Sequence, residues 1–178
     1  MAGAHGLKRG YVQVYTGNGK GKTTAALGLL LRASGAGLRV YCGQFIKRGD
    51  FSEVRAIRGR FPEVTFEQYG SGCFVRGRPT AKAVRLARAG LARLREVLKR
   101  GCHDVVIADE ANCAAACGLL TPADLLGLMD AKPPRVELVL TGRGADPAVL
   151  ARADLVTEMR EIRHYHGKRV KARAGIEM

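Results

Sequence analysis

The sequence predicts an α/β protein with a mostly parallel central sheet of about six strands and helices on both faces. Three observations lead there. Short apolar, β-branched stretches alternate with helix-like stretches along the 178 residues. The first such pair is joined by a loop of glycines and lysines, TGNGKGKTT at 16–24. A later apolar run, VVIADE at 105–110, ends in two acids.

The strands are predicted at 11–15, 39–46, 64–69, 104–108, 135–141 and 154–158. Each is short, rich in β-branched or aromatic residues and bounded by turn residues. Helices are predicted at 22–34, about 51–59, 80–100, roughly 111–117, 122–130 and 146–151. A helix between successive strands implies parallel pairing, because the chain must cross back over the sheet. The 80–100 helix carries the clearest pattern. Val84, Ala87, Leu91, Leu94 and Leu98 recur at three- and four-residue steps and form one apolar stripe. Lys82, Arg85, Arg88, Arg93, Arg95, Lys99 and Arg100 occupy its other faces. They read as a solvated face or as a nucleic-acid footprint, and the lack of interleaved aromatics favours the first.

No repeat or linker divides the chain, which reads as one domain over 1–178 with residues 1–9 a flexible lead-in. No run reaches the roughly 18 apolar residues of a membrane helix, and MAGAHGLKRG has no signal-peptide apolar segment, so a cytoplasmic protein is expected. Five cysteines without regular spacing point to thiols and not to a disulfide framework. The net charge of +14 favours anionic partners, such as phosphates, nucleic acid or a polycarboxylate, or is simply solvated.

The loop at 16–24 carries the chemistry. Gly17, Gly19 and Gly21 let the backbone turn tightly and gather N–H groups beside a helix N-terminus, where an anion sits well. Lys22 reaches phosphate oxygens, and the Thr23 hydroxyl suits Mg²⁺. The spacing is that of a P-loop with Thr16 in the first glycine position. The dinucleotide pattern G-x-G-x-x-G fails, since Lys22 stands where its last glycine belongs. Asp109 and Glu110 then end a strand at the sheet's carboxyl edge, where they complete the metal shell directly or through water. Thr141 and Arg143 reach the same edge, with Arg143 either a phosphate ligand or a surface arginine. Cys113 and Cys117 share a helix face; with His103 they suggest a metal, but without a second ligand pair they read as buried small side chains. His164 and His166 read as solvated. The glycine-rich stretch 69–79 reads as a connecting loop or as a mobile loop that offers Phe74 to a ligand.

GNGKGKTTAALGLLLRASGAG, QFIK, the DE after the fourth strand, LVLTGR, ADLVTEM and the terminal GIEM together resemble the P-loop class of ATP:corrinoid adenosyltransferases, from about Gly10 onward. Threonine in the first glycine position is that family's own variant. The resemblance implies a RecA-like sheet, a homodimer, and transfer of the adenosyl group of ATP to a corrinoid reduced to Co(I). Cobalt attacks the ribose C5′ and triphosphate leaves. Thr16, Gly17, Asn18, Gly19, Lys20, Gly21, Lys22, Thr23 and Thr24 would hold the nucleotide, with Arg32 and Arg143 near it. Lys22, Thr23 and Glu110 would carry catalysis. Mg²⁺ (or Mn²⁺) would lie on Thr23 and Glu110 with Asp109 in support, and Phe74 would meet the corrin. The substrate would be cob(I)alamin or a corrinoid precursor, and an acidic flavoprotein would suit the basic surface as reductant; neither a membrane nor nucleic acid is implied. The chain departs from the family in having no Trp in the loop after the third strand and only about ten residues before the first strand. A RecA-like ATPase acting on nucleic acid and a nucleotide-binding regulatory module without turnover are the competing readings.

Overall fold

In the computed structural model, which describes residues 6–72, 77–168 and 170–177, the six apolar stretches form six strands. They are β1 (Val12–Thr16), β2 (Val40–Gln44), β3 (Thr65–Gln68), β4 (Val105–Asp109), β5 (Glu137–Thr141) and β6 (Leu155–Glu158). All pair in parallel, in the order β3-β2-β4-β5-β1-β6. The helices are α1 (Lys22–Gly35), α2 (Ser52–Arg60), α3 (Ala81–Arg100), α4 (Ala111–Ala116), α5 (Pro122–Ala131) and α6 (Pro147–Arg152). A 3₁₀ turn at Tyr165–Lys168 has no counterpart among the predicted elements.

Strand alternation divides the core in two. Val106 and Ala108 of β4 join one apolar cluster, with Leu91, Leu94 and Leu98 of α3, Leu125 and Leu128 of α5 and Val149 of α6. Val105 and Ile107 face the other, with Ala26 and Leu30 of α1 and Val54 and Ile57 of α2. A strand covered on both faces has no polar side, which is why β4 reads as an unbroken apolar run.

The predicted stripe of α3 packs inward. Ala87, Leu91, Leu94 and Leu98 are buried and Val84 is half-buried. Truncating the fully buried Leu94 to alanine is expected to cost about 2–5 kcal/mol, from lost transfer energy plus a cavity. The helix starts where the Thr80 side chain accepts the Ala83 N–H and ends at Gly101, whose φ of 60° is left-handed. At mid-helix, a Cβ on Gly90 would lie 2.5 Å from Cγ of Tyr69, so the glycine admits that ring. Several arginines of the basic face meet acids. Arg88 lies 2.8 Å from Asp124, and Arg93 lies 3.3 Å from Glu67 and 3.0 Å from Glu96.

Since every strand points the same way, all six carboxyl ends meet one edge of the sheet. The loops that follow them supply the candidate site.

Candidate nucleotide-binding site

Strand order decides which side chains meet. Because β5 lies between β1 and β4, Thr141 at its end reaches Asp109 at the end of β4. The Asp109 carboxylate is 1% exposed. Its Oδ1 accepts from Thr23 Oγ1 at 2.9 Å and Thr141 Oγ1 at 2.7 Å, and its Oδ2 accepts from Gln44 Nε2 at 2.9 Å. Three donors offset the cost of burying that group. Gln44 is itself held, its Oε1 accepting from Gln68 Nε2 at 2.9 Å. Gln44 opens the QFIK stretch, but neither glutamine was given a role from the sequence; the available signal was an amide at the last position of a strand.

Lys22 opens α1 and is 8% exposed. Its Nζ donates to the Gly17 carbonyl at 2.6 Å and the Gly19 carbonyl at 2.7 Å. Burial first, and then the charge of Arg143, push its ammonium below the ordinary lysine range against the pull of Glu110. A triphosphate would favour the charged form. Gly17 and Gly19 have a second task. A Cβ on Gly17 would lie 2.4 Å from the Met159 carbonyl oxygen, and one on Gly19 would lie 2.7 Å from that of Arg160. The Gly19 N–H donates to the Met159 carbonyl at 2.6 Å. Part of this loop's glycine requirement therefore comes from the segment after β6 and not from an anion.

Glu110 follows Asp109 with φ 59°, a left-handed conformation rare outside glycine and asparagine. The Thr141 hydroxyl accepts its N–H at 2.9 Å, and Lys47 Nζ lies 3.3 Å from its Oε1. Lys47 is delivered by a second strained residue. Ile46 has φ 63°, and the Lys47 N–H donates to the Phe45 carbonyl at 2.5 Å, closing a three-residue turn. Gly70 admits that turn, since a Cβ there would lie 2.0 Å from the Ile46 carbonyl oxygen.

These parts frame a cleft of about 680 Å³. Gly19, Lys20, Gly21, Lys22, Thr23 and Thr24 form one wall, and Lys47, Glu110 and Arg143 come from other strand ends. Glu53 of α2, His164 and the C-terminal turn Gly175–Glu177 also line it. Lys20 Nζ donates to the Ile176 carbonyl at 2.9 Å, tying that turn to the loop. Asp109 stands behind Thr23. Thr16 is set back at the end of β1, where its hydroxyl accepts the Ala145 N–H at 3.4 Å, and Gly17 and Asn18 are not in the cleft wall. Arg32 lies exposed on the last turn of α1, where ten residues of helix rise carry it about 15 Å from Lys22 of the same chain, and it is not in the cleft wall. Phe74 lies outside the described residues. Cys113 and Cys117 follow the carboxyl end of β4, whereas His103 precedes that strand and packs on Tyr41, so the five-residue strand separates them. Burial and then Glu110 push the Cys113 thiol up to about 11.

The donor set suits Mg²⁺. A threonine hydroxyl and carboxylates are hard oxygen ligands, and among the described residues no group of three His, Cys, Asp or Glu forms a complete cage. Such an ion would share its shell with phosphate oxygens and water. Among the described residues no helix is long and apolar enough to cross a membrane.

Residues 8–178 match the family described as ATP:corrinoid adenosyltransferase BtuR/CobO/CobP. The corrinoid adenosyltransferase of Pseudomonas aeruginosa is 34% identical over 171 residues, 96% of this chain and 84% of that protein. Corrinoid adenosyltransferase CobA of Salmonella typhimurium is 33% identical over 174 residues, covering 96% and 86%. The corrinoid adenosyltransferase of Escherichia coli K12 is 31% identical over 170 residues, covering 96% and 86%.

Proposed function

The chain belongs to the ATP:corrinoid adenosyltransferase family, and from that membership we propose that its cleft binds ATP so that a reduced corrinoid takes the 5′-deoxyadenosyl group. The observation that carries the reading is that every residue lining the cleft lies inside the matched span 8–178.

The Co(I) centre of the substrate supplies the electron pair. The new bond joins cobalt to C5′, the C5′–O bond breaks, and its electrons leave with triphosphate. The nucleophile belongs to the substrate, so the chain needs no activating base. Its work is to place C5′ in line and to stabilise the charge that gathers on the leaving triphosphate. Lys22 turns from the Gly17 and Gly19 carbonyls toward that charge. Arg143 and Lys47 add positive charge from the facing strand ends. Mg²⁺, held by Thr23 with Glu110 and backed by Asp109, would neutralise the phosphates as a Lewis acid. Asp109 keeps the Thr23 hydroxyl oriented, and Lys47 fixes the carboxylate of Glu110. The reductant that generates Co(I) is proposed to be an acidic flavoprotein, in keeping with the net charge of +14.

Anaerobic incubation with ATP, Mg²⁺ and chemically reduced cobalamin tests this reading. One triphosphate should appear per adenosylated corrinoid, with little ADP and a light-sensitive Co–C product. Release of ADP without corrinoid, stimulated by DNA or RNA, would replace the transferase with a nucleic-acid-dependent ATPase.

A further inference from the structure

Beside the nucleotide cleft lies a smaller pocket of about 260 Å³, lined by Lys20, Arg163, His164, Tyr165 and Lys168. Two of its walls are shared, because Lys20 and His164 also line the cleft. Lys20 stands at the boundary, its ammonium donating to the Ile176 carbonyl at 2.9 Å. No lining residue is an acid. Elsewhere Arg39, Arg88, Arg93, Arg152 and Arg173 each face a carboxylate. Arg163 and Lys168 have no ion pair among the described residues. The aromatic wall is fixed from behind: Arg173 stacks over the Tyr165 ring at 4.9 Å and is held by Glu177, which itself lines the cleft.

Glu177 lies close enough to act on Lys20, but Arg163 and Lys168 share a concavity whose lining holds no acid, an arrangement that favours an anion. Arginine and lysine together suit a phosphoryl oxygen, which accepts several charge-assisted hydrogen bonds at once. We propose that this pocket is a second anion subsite that takes a phosphate or phosphodiester group from a ligand extending past the P-loop. Two ligands of the proposed reaction carry that chemistry: the phosphate chain of the nucleotide, and the phosphodiester in the lower arm of a complete corrinoid. Naming these two rests on the transferase reading; the subsite itself rests on the pocket. In the second case the pocket also sets specificity, because a corrinoid without that arm gains nothing from it.

The test is equilibrium binding, free of turnover, to wild type and to the pair Arg163→Gln and Lys168→Gln. The probes are tripolyphosphate, cob(II)alamin and cobinamide, which lacks the phosphodiester. A charge-keeping pair, Arg163→Lys and Lys168→Arg, controls for shape, and thermal melting for folding. The glutamine pair should weaken one phosphate-bearing probe about tenfold and flatten its salt dependence, while the charge-keeping pair stays near wild type. Loss confined to tripolyphosphate identifies the nucleotide chain and supports the subsite even if no adenosyl transfer is observed. Loss for cob(II)alamin but not cobinamide identifies the corrinoid phosphodiester. Unchanged affinity for both phosphate-bearing probes, or an equal loss for cobinamide, overturns the proposal.

Discussion

Thr23 and Asp109 are 86 positions apart, yet the Thr23 hydroxyl donates to the Asp109 carboxylate at 2.9 Å across the carboxyl edge of the sheet. The bond joins the first turn of α1 to the end of β4 and sets where the threonine oxygen points. Oriented this way, the hydroxyl keeps its lone pairs for a cation, while its proton is committed to the acid.

Thr23→Val keeps the shape and removes that oxygen. The expected result is a rise of about ten- to a hundredfold in the Mg²⁺ concentration needed for half-maximal activity. Thr23→Ser should restore it, and a chelator should abolish wild-type activity. The check is a Mg²⁺ titration of initial rates alongside a Mn²⁺ binding isotherm with ATP. A valine variant with the wild-type requirement removes Thr23 from the metal shell.

Lys22→Ala addresses the leaving group. The ammonium now bonds two loop carbonyls, at 2.6 and 2.7 Å, so removing it both loosens the loop and deletes a charge facing triphosphate. A loss of about a hundredfold or more in kcat/KM is expected. Tripolyphosphate affinity should fall with it, measured by calorimetry. An alanine variant that turns over normally would place the triphosphate elsewhere.

Gln44→Leu tests the residue behind the acid. Gln44 is 1% exposed and donates to Asp109 Oδ2, so leucine leaves a buried carboxylate oxygen without that donor and Gln68 without its acceptor. The cost should be about 1–3 kcal/mol, seen as a Tm drop of a few to about ten degrees. Adding Gln68→Leu should cost little more, because the two amides belong to one network. Additive losses in the double variant would show that the two act separately.

Much of this edge was legible beforehand, for identifiable reasons. The ends of β1 and β4 announce themselves because an apolar run gives way to GNGKGKT or to DE, and local composition carries that signal. Which strands adjoin is different. Thr141 meets Asp109 only because β5 lies between β1 and β4, and that order depends on pairing between distant segments. The strained turn at Ile46 has no local signature at all, since a β-branched residue at positive φ contradicts propensity and is imposed by its surroundings. The glycines of the loop signal close approach, but not that Met159 and Arg160 are what approaches.

The last expectation concerns alkaline stability, and it comes from a cluster away from the cleft. Tyr41 OH donates to Glu67 Oε2 at 2.8 Å and meets Tyr69 OH at 2.7 Å, while Tyr69 also donates to Glu67. Burial first, then hydrogen bonding to Tyr69 and Glu67 for Tyr41 and to Glu67 for Tyr69, push both phenols well above the ordinary tyrosine range. For Glu67, burial alone would raise the carboxyl; the bonds from Tyr69, Tyr41 and Arg93 outweigh it and bring the group below its usual value. The signs follow from proton counts. Below about pH 10 both folded and unfolded phenols hold their protons, so the contribution is complete. Above it the unfolded chain releases protons that the folded chain keeps, and stability falls by up to about 1.4 kcal/mol per pH unit for each tyrosine. Glu67 acts at the other end: its contribution is present above the ordinary carboxyl range near 4.3 and is lost as pH falls below it. Urea unfolding between pH 8 and about 11 should therefore show a declining midpoint in wild type. Tyr69→Phe should start lower, having lost its bond to Glu67, but decline less steeply by about one proton. Equal slopes for the two proteins would mean that Tyr69 ionises as freely in the folded chain as in the unfolded one.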